Sequence, residues 1–97
     1  MITIELDIFS GRPNPTWTVD GADEQVLLQR LAVARPGAPG AWDVPLPLGY
    51  RGFLVYRANI ERVYQSIPGL EEWLLETGKT SLDPVVYQRA RTALGLP

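Results

Sequence analysis

The segment Ser10-Gly11-Arg12-Pro13-Asn14-Pro15 concentrates the most distinctive chemistry of this chain. Its prolines fix their own φ and bias the residues before them, Arg12 and Asn14, toward extended backbone. A stiff loop of this kind can display Ser10, Arg12 and Asn14 to a carboxylate, a phosphate or a peptide, with Gly11 allowing close backbone approach. The purely structural alternative is a rigid hairpin loop in which Arg12 pairs with Asp7 or Glu5. A second cationic group comprises Tyr50 and Arg51, with Arg57 at an even spacing, so Arg51 and Arg57 are expected to share a strand face with Phe53 and Val55. Guanidinium groups beside aromatic rings bind anions or stack on planar groups. Their structural counterpart is neutralisation of Asp7, Glu5 or Glu61 across a sheet. Glu5 and Asp7 sit at i and i+2 of a strand pattern, point the same way, and can hold a cation or act as acid and base. A solvated strand face, or pairing with arginine, is the preferred reading of that pair. Of the tryptophans, Trp73 is expected in the core, whereas Trp42, in a proline-rich loop, is a candidate either for a binding surface or for a lid over the core.

Absences narrow the chemistry further. With no Cys and no His, the chain cannot build a Cys nucleophile, a Ser-His-Asp arrangement, a disulfide or a zinc site of nitrogen and sulfur ligands. Ser10, Ser66 and Ser81 have only Lys79 as a lysine base, and Lys79 neighbours only Thr80 and Ser81 in a loop, so no catalytic residue is assigned. Phosphate-cradling glycine motifs, metal-ligand spacings and dinucleotide fingerprints are missing as well. Neither a cofactor nor a metal is expected. The net charge of −2 argues against nucleic acid as a partner, because that footprint needs a strongly basic face. Eight of the nine basic residues are Arg, with Lys79 the exception, a usage that fits a GC-rich bacterial genome.

The elements that must position these groups follow from periodicity. A length of 97 residues, 45% hydrophobic and 21% charged, predicts one globular domain able to bury a core without disulfides. No apolar run reaches the roughly 18 residues of a membrane span. The chain opens on a strand pattern rather than on a signal segment, so a soluble, cytoplasmic protein is expected. Ile2, Ile4, Leu6 and Ile8 alternate with polar residues and predict a strand with one buried face. Thr16 to Val19 predicts its antiparallel partner, with Trp17 and Val19 inward. Asp20 or Asp23 caps a helix that runs to about Ala34, its apolar stripe spanning Val26 to Ala34 and centred on Leu27, Leu28 and Leu31. Residues 35–49 are proline- and glycine-rich but carry Trp42, Val44, Leu46 and Leu48, and are expected to lie against the body of the domain. Tyr50 to Arg57 predicts a third strand. Arg62 to Ile67 is preferred as a fourth, after a bend at Ala58-Asn59, although Ile60, Val63, Tyr64 and Ile67 also fit helical spacing. Two helices complete the chain: one opening at Pro68-Gly69 with Leu70, Trp73, Leu74 and Leu75 inward and Gly78 as left-handed terminator, the other capped by Asp83-Pro84 and ended by Gly95. The prediction is an α+β domain, a mainly antiparallel sheet of about four strands packed with about three helices in the order ββα-ββα-α. Glu24-Gln25-Val26-Leu27-Leu28-Gln29 echoes Glu71-Glu72-Trp73-Leu74-Leu75-Glu76, as common amphipathic patterns do.

Phe9-Ser10-Gly11-Arg12-Pro13-Asn14-Pro15-Thr16-Trp17, after Ile4-Glu5-Leu6-Asp7, resembles a pattern found in small bacterial proteins without an assigned activity, and Leu48 to Phe53 and Leu70 to Leu74 are similar to later segments of that group. The resemblance implies no substrate, cofactor or catalytic residue. From the residues themselves the expected function is a non-catalytic protein or peptide interaction module, such as an accessory subunit, recognising its partner or a second copy of itself through the hairpin, the Trp42 loop or a strand edge. The alternative is a binder of a small anion, or a weak enzyme, using Arg12, Arg51 and Tyr50. Ser10, Arg12, Asn14, Trp42, Tyr50 and Arg51 are the candidate binding residues.

Overall fold

A computed structural model of the chain describes residues 1–9, 11–34, 49–58, 60–64, 67 and 69–97. Ser10, residues 35–48 with Trp42, Asn59, Gln65, Ser66 and Pro68 lie outside the described residues. The first strand, β1 (Ile2–Leu6), buries Ile2, Ile4 and Leu6, and Ile8 continues that face beyond it. Its antiparallel partner β2 (Thr16–Val19) buries Trp17 and Val19 and exposes both threonines, the alternation its sequence predicts. Helix α1 (Gly21–Leu31) follows, then β3 (Phe53–Arg57), β4 (Ile60–Tyr64), α2 (Leu70–Thr77) and α3 (Pro84–Ala93). The four strands form one antiparallel sheet in the order β2-β1-β3-β4. The chain is thus an α+β protein with the predicted ββα-ββα-α order.

The inward faces of β1, β2, β3 and β4 meet Leu27 of α1, Leu70, Leu74 and Leu75 of α2 and Ala90 of α3 in a single apolar cluster. Each fully buried large side chain of this kind contributes about 1.5–3 kcal/mol relative to leaving it in water. Trp17 anchors β2 to α2. Its ring stands edge-on to Phe53 at 6.3 Å, and its indole N–H donates to Thr77 Oγ1 at 2.9 Å. The Thr77 hydroxyl in turn donates to the Leu74 carbonyl at 2.6 Å. Asp83 caps α3 as expected, accepting from the Val85 N–H at 2.8 Å, with Pro84 in the first turn.

Several expectations are corrected. Helix α1 ends at Leu31, and Val33, counted in its apolar stripe, is 87% exposed beyond that end. Strand β3 begins at Phe53 rather than Tyr50, because Gly52 adopts φ 100°, a conformation outside the strand region. Strand β4 starts directly after the bend at Ala58, with Ile60 opposite Arg57, two residues before the predicted Arg62. Trp73 is only partly buried, its ring lying under the Arg30 guanidinium at 5.4 Å. Gly78 closes α2 with φ −99° rather than in the left-handed region. Its need is steric: a Cβ there would stand 2.4 Å from the Trp17 ring.

Candidate functional site

The face of the sheet opposite the apolar cluster carries the polar chemistry. Asn14 lies at its centre, because the turn through Gly11 to Pro15 folds the loop back onto β1, with the Leu6 N–H donating to the Pro15 carbonyl at 3.0 Å. The Asn14 Oδ1 accepts the backbone N–H groups of Ile8 at 3.1 Å and Phe9 at 2.8 Å. Its Nδ2 donates to Glu5 Oε2 at 2.9 Å and to Asp7 Oδ1 at 3.1 Å. The side-chain amide is therefore satisfied at every donor and acceptor, in an orientation that two N–H groups on one side and two carboxylates on the other dictate. Arg51 completes the knot. Its Nη2 lies 3.2 Å from Asp7 Oδ1 and donates to the Phe9 carbonyl at 2.8 Å, while its Nε is 3.3 Å from the same carboxylate oxygen. The Tyr56 hydroxyl donates to Glu5 Oε1 at 2.9 Å, with Glu61 Oε1 3.4 Å away. Burial and the neighbouring Glu5 and Glu61 hold its proton on well above the ordinary tyrosine range.

This geometry redistributes the candidate residues. Of the arginine pairings expected for these carboxylates, the one formed is that of Arg51 with Asp7, while Glu5 is held by Asn14 and Tyr56 and Arg12 lies over Phe9 instead. Arg51 does not share a face with Arg57, because the left-handed Gly52 between it and β3 swings it to the Asp7 side of the sheet, while Arg57 projects with Val55 toward α1. Tyr50, foreseen beside Arg12 and Arg51 at a binding surface, is 0% exposed. It is a core residue, edge-on to Phe53 at 5.9 Å, with its hydroxyl donating to Glu71 Oε1 at 2.5 Å. Glu71 is buried too, and its other oxygen accepts the Ile67 N–H at 2.8 Å. Burial, then the charge and hydrogen bond of Glu71, push the Tyr50 phenol far above its ordinary range. A buried glutamate in an amphipathic helix pattern carries no sequence signal; only the chain entry at Ile67 and the approach of Tyr50 create its site.

Arg12 alone among the described candidates reaches outward. Its guanidinium lies over the Phe9 ring, 3.6 Å from the centroid, a cation–π contact that orients it without neutralising it. There it borders a cleft of about 410 Å³ between the hairpin loop and α3, whose other walls include Pro13, Pro15, Leu82, Val85, Val86 and Arg89. Arg12 and Arg89 are both exposed, and neither meets a carboxylate among the described residues. Asp83 also lines this cleft, with Oδ1 engaged as the helix cap. Arg89 and Val85 were missed by the sequence reading. The available signal was their i, i+4 spacing on the outer face of α3, which places an exposed valine beside an arginine. Among the described residues no group of three or more Asp or Glu side chains is placed to hold a metal ion, and no helix is long and apolar enough to cross a membrane. No protein-family model, curated protein or solved structure matches the chain.

Proposed function

We propose that this chain is a non-catalytic interaction module that takes an acidic, extended peptide segment of a protein partner in the cleft between the hairpin loop and α3. The observation that carries this reading is the Arg12 guanidinium, held over Phe9 with no carboxylate partner among the described residues, at the rim of a cleft shared with Arg89. Two cations flanking Leu82, Val85 and Val86 suit a segment that alternates acidic and apolar side chains. The Asn14 knot and the two prolines preorganise the loop, which lowers the entropy lost on binding. Glu5 and Asp7, the groups suited to acid and base work, are occupied by Asn14, Arg51 and Tyr56, which favours binding over catalysis.

The test is a titration of isotope-labelled protein with a capped octapeptide of alternating Glu and Leu, followed by NMR. Amide shifts should cluster in residues 9–15 and 82–89, and Arg12→Gln and Arg89→Gln should each weaken binding by about tenfold, the effect of losing one charge-assisted contact. Shifts located elsewhere, or affinity unchanged in both variants, would remove the cleft from the account.

A further inference from the structure

A second cleft, of about 450 Å³, opens on the helix-bearing face of the sheet, between the C-terminal half of α1 and the outer part of β3 and β4. Leu28 and Leu31 line one side, Val55 the floor and Ile60 the rim, and Arg57, Arg62 and Tyr64 contribute its polar groups. The strand register explains why these side chains converge. Val55 stands opposite Arg62, and Arg57 opposite Ile60, so the two arginines are diagonal neighbours on one face. Like charges so placed repel, and among the described residues no carboxylate pairs with either of them. Glu61, which precedes Arg62 in β4, points to the opposite face, where it approaches Tyr56. The last carbonyls of α1 are taken up by the N–H groups of Ala32, Val33 and Ala34. Among the described residues Arg57 has no hydrogen-bonding or ionic partner, and Arg62 donates only to the adjacent Glu61 carbonyl at 3.3 Å. The Tyr64 side chain is buried, yet its hydroxyl donates to no described group. The positive charge of Arg62 acts on that hydroxyl, against the upward pull of burial on its pKa. Ile60 remains 51% exposed at the rim.

We infer that this cleft is a binding site for a small organic acid with an apolar body, its carboxylate held between Arg57 and Arg62 and its tail lying against Leu28, Leu31 and Val55. Guanidinium groups recognise a carboxylate through paired N–H donors, and the Tyr64 hydroxyl supplies a further donor at the inner end of the site. The volume suits a small ligand. A carboxylate removes the repulsion between the arginines at the same time as its tail covers the exposed isoleucine.

Octanoate is the probe, titrated into the protein by calorimetry and NMR, with octanamide and inorganic phosphate as controls. Octanoate should saturate the protein with shifts confined to residues 28–32 and 55–64. Octanamide should bind at least about tenfold more weakly for lack of charge, and phosphate should not saturate for lack of a tail. The double variant Arg57→Gln, Arg62→Gln, whose substitutions lie on exposed positions, should keep the far-ultraviolet circular dichroism of the unaltered protein and bind octanoate and octanamide alike. Tyr64→Phe should weaken octanoate by roughly threefold to tenfold. Equal affinity of the unaltered protein for octanoate and octanamide, an absence of saturable octanoate binding, or shifts centred on Arg12 and Arg89 would overturn the assignment. Tighter binding of N-acetyl-Leu-Leu with a free carboxylate than of octanoate would overturn it in favour of the C-terminus of a polypeptide.

Discussion

Asn14 illustrates how one side chain can decide the shape of a loop. Its amide meets two backbone N–H groups with its oxygen and two carboxylates with its nitrogen, so it holds Glu5 and Asp7 close together while the loop closes over β1. Asn14→Ala should destabilise the protein by about 2–4 kcal/mol, since the N–H groups of Ile8 and Phe9 lose their acceptor and the carboxylates lose a shared donor. Asn14→Asp keeps the volume but turns donor into acceptor and sets a third carboxylate against Glu5 and Asp7. It should cost more than the alanine variant at pH 7, and the deficit should shrink as the pH falls toward 4 and the added carboxyl takes up a proton. Urea unfolding of both variants at the two pH values provides the comparison. Asn14 thus supports the loop that presents Arg12, with each of its amide groups engaged within the chain. The sequence made the residue conspicuous, because an asparagine between two prolines has an unusual backbone; the reason for its presence lies in groups five to nine positions away.

At the level of elements, β2 and α2 are fastened by Trp17, and the fastening has a strict steric condition at Gly78. The expected reason for a glycine at a helix end is a left-handed backbone, and substitution there would then cost conformational strain. With φ −99° the backbone at Gly78 suits any residue, and the obstacle is the Trp17 ring at 2.4 Å from a Cβ. Gly78→Ala should lower stability by about 1–3 kcal/mol through overpacking, and pairing it with Trp17→Leu, which removes the obstructing ring, should make the two effects clearly non-additive. A double-mutant cycle by thermal or urea unfolding measures this. Additive losses would mean that backbone strain, not the ring, makes glycine necessary. Periodicity located both elements correctly, and it placed Trp17 inward. The meeting of Trp17 with Gly78, across most of the chain, has no signature in either segment.

For the molecule as a whole, the helices cover one face of a sheet whose central strands are β1 and β3 and whose edges are β2 and β4. That is the order produced when the first strands of two ββα units pair with each other. Burial of Tyr50 and Glu71 within the enclosed side gives the fold a distinctive dependence on alkaline pH. In the unfolded chain Tyr50 loses its proton near pH 10, whereas burial and Glu71 hold the proton on in the folded protein. The stabilisation is thus fully present below about pH 10 and is lost as the pH climbs toward the raised folded value, at up to about 1.4 kcal/mol per pH unit for this group. Tyr50→Phe should reduce stability at pH 7 by about 1–3 kcal/mol, because the buried Glu71 loses a donor, and should make the decline between pH 10 and 11 shallower. Denaturant unfolding from pH 7 to 11 tests both parts; an unchanged alkaline slope would place the phenol in water.

The strands, the helices, their order and the α+β class were legible in the sequence because each depends on local pattern: alternation over Ile2 to Ile8, apolar spacing in the helices, and the Asp83-Pro84 cap. So was the singularity of the hairpin loop, whose prolines act on their immediate neighbours. Only the tertiary structure decided that β1 and β3 lie side by side at the centre of the sheet, that Gly52 turns Arg51 away from Arg57, that Tyr50 points inward to a buried Glu71, and that Arg89 joins Arg12 at one cleft while Arg57 and Arg62 meet at another. The physical reason is common to all of these. Periodicity assigns a side chain to a face only while the backbone keeps its regular twist, and the partner it finds there is set by strand order and by register. Those depend on how distant apolar surfaces fit against one another.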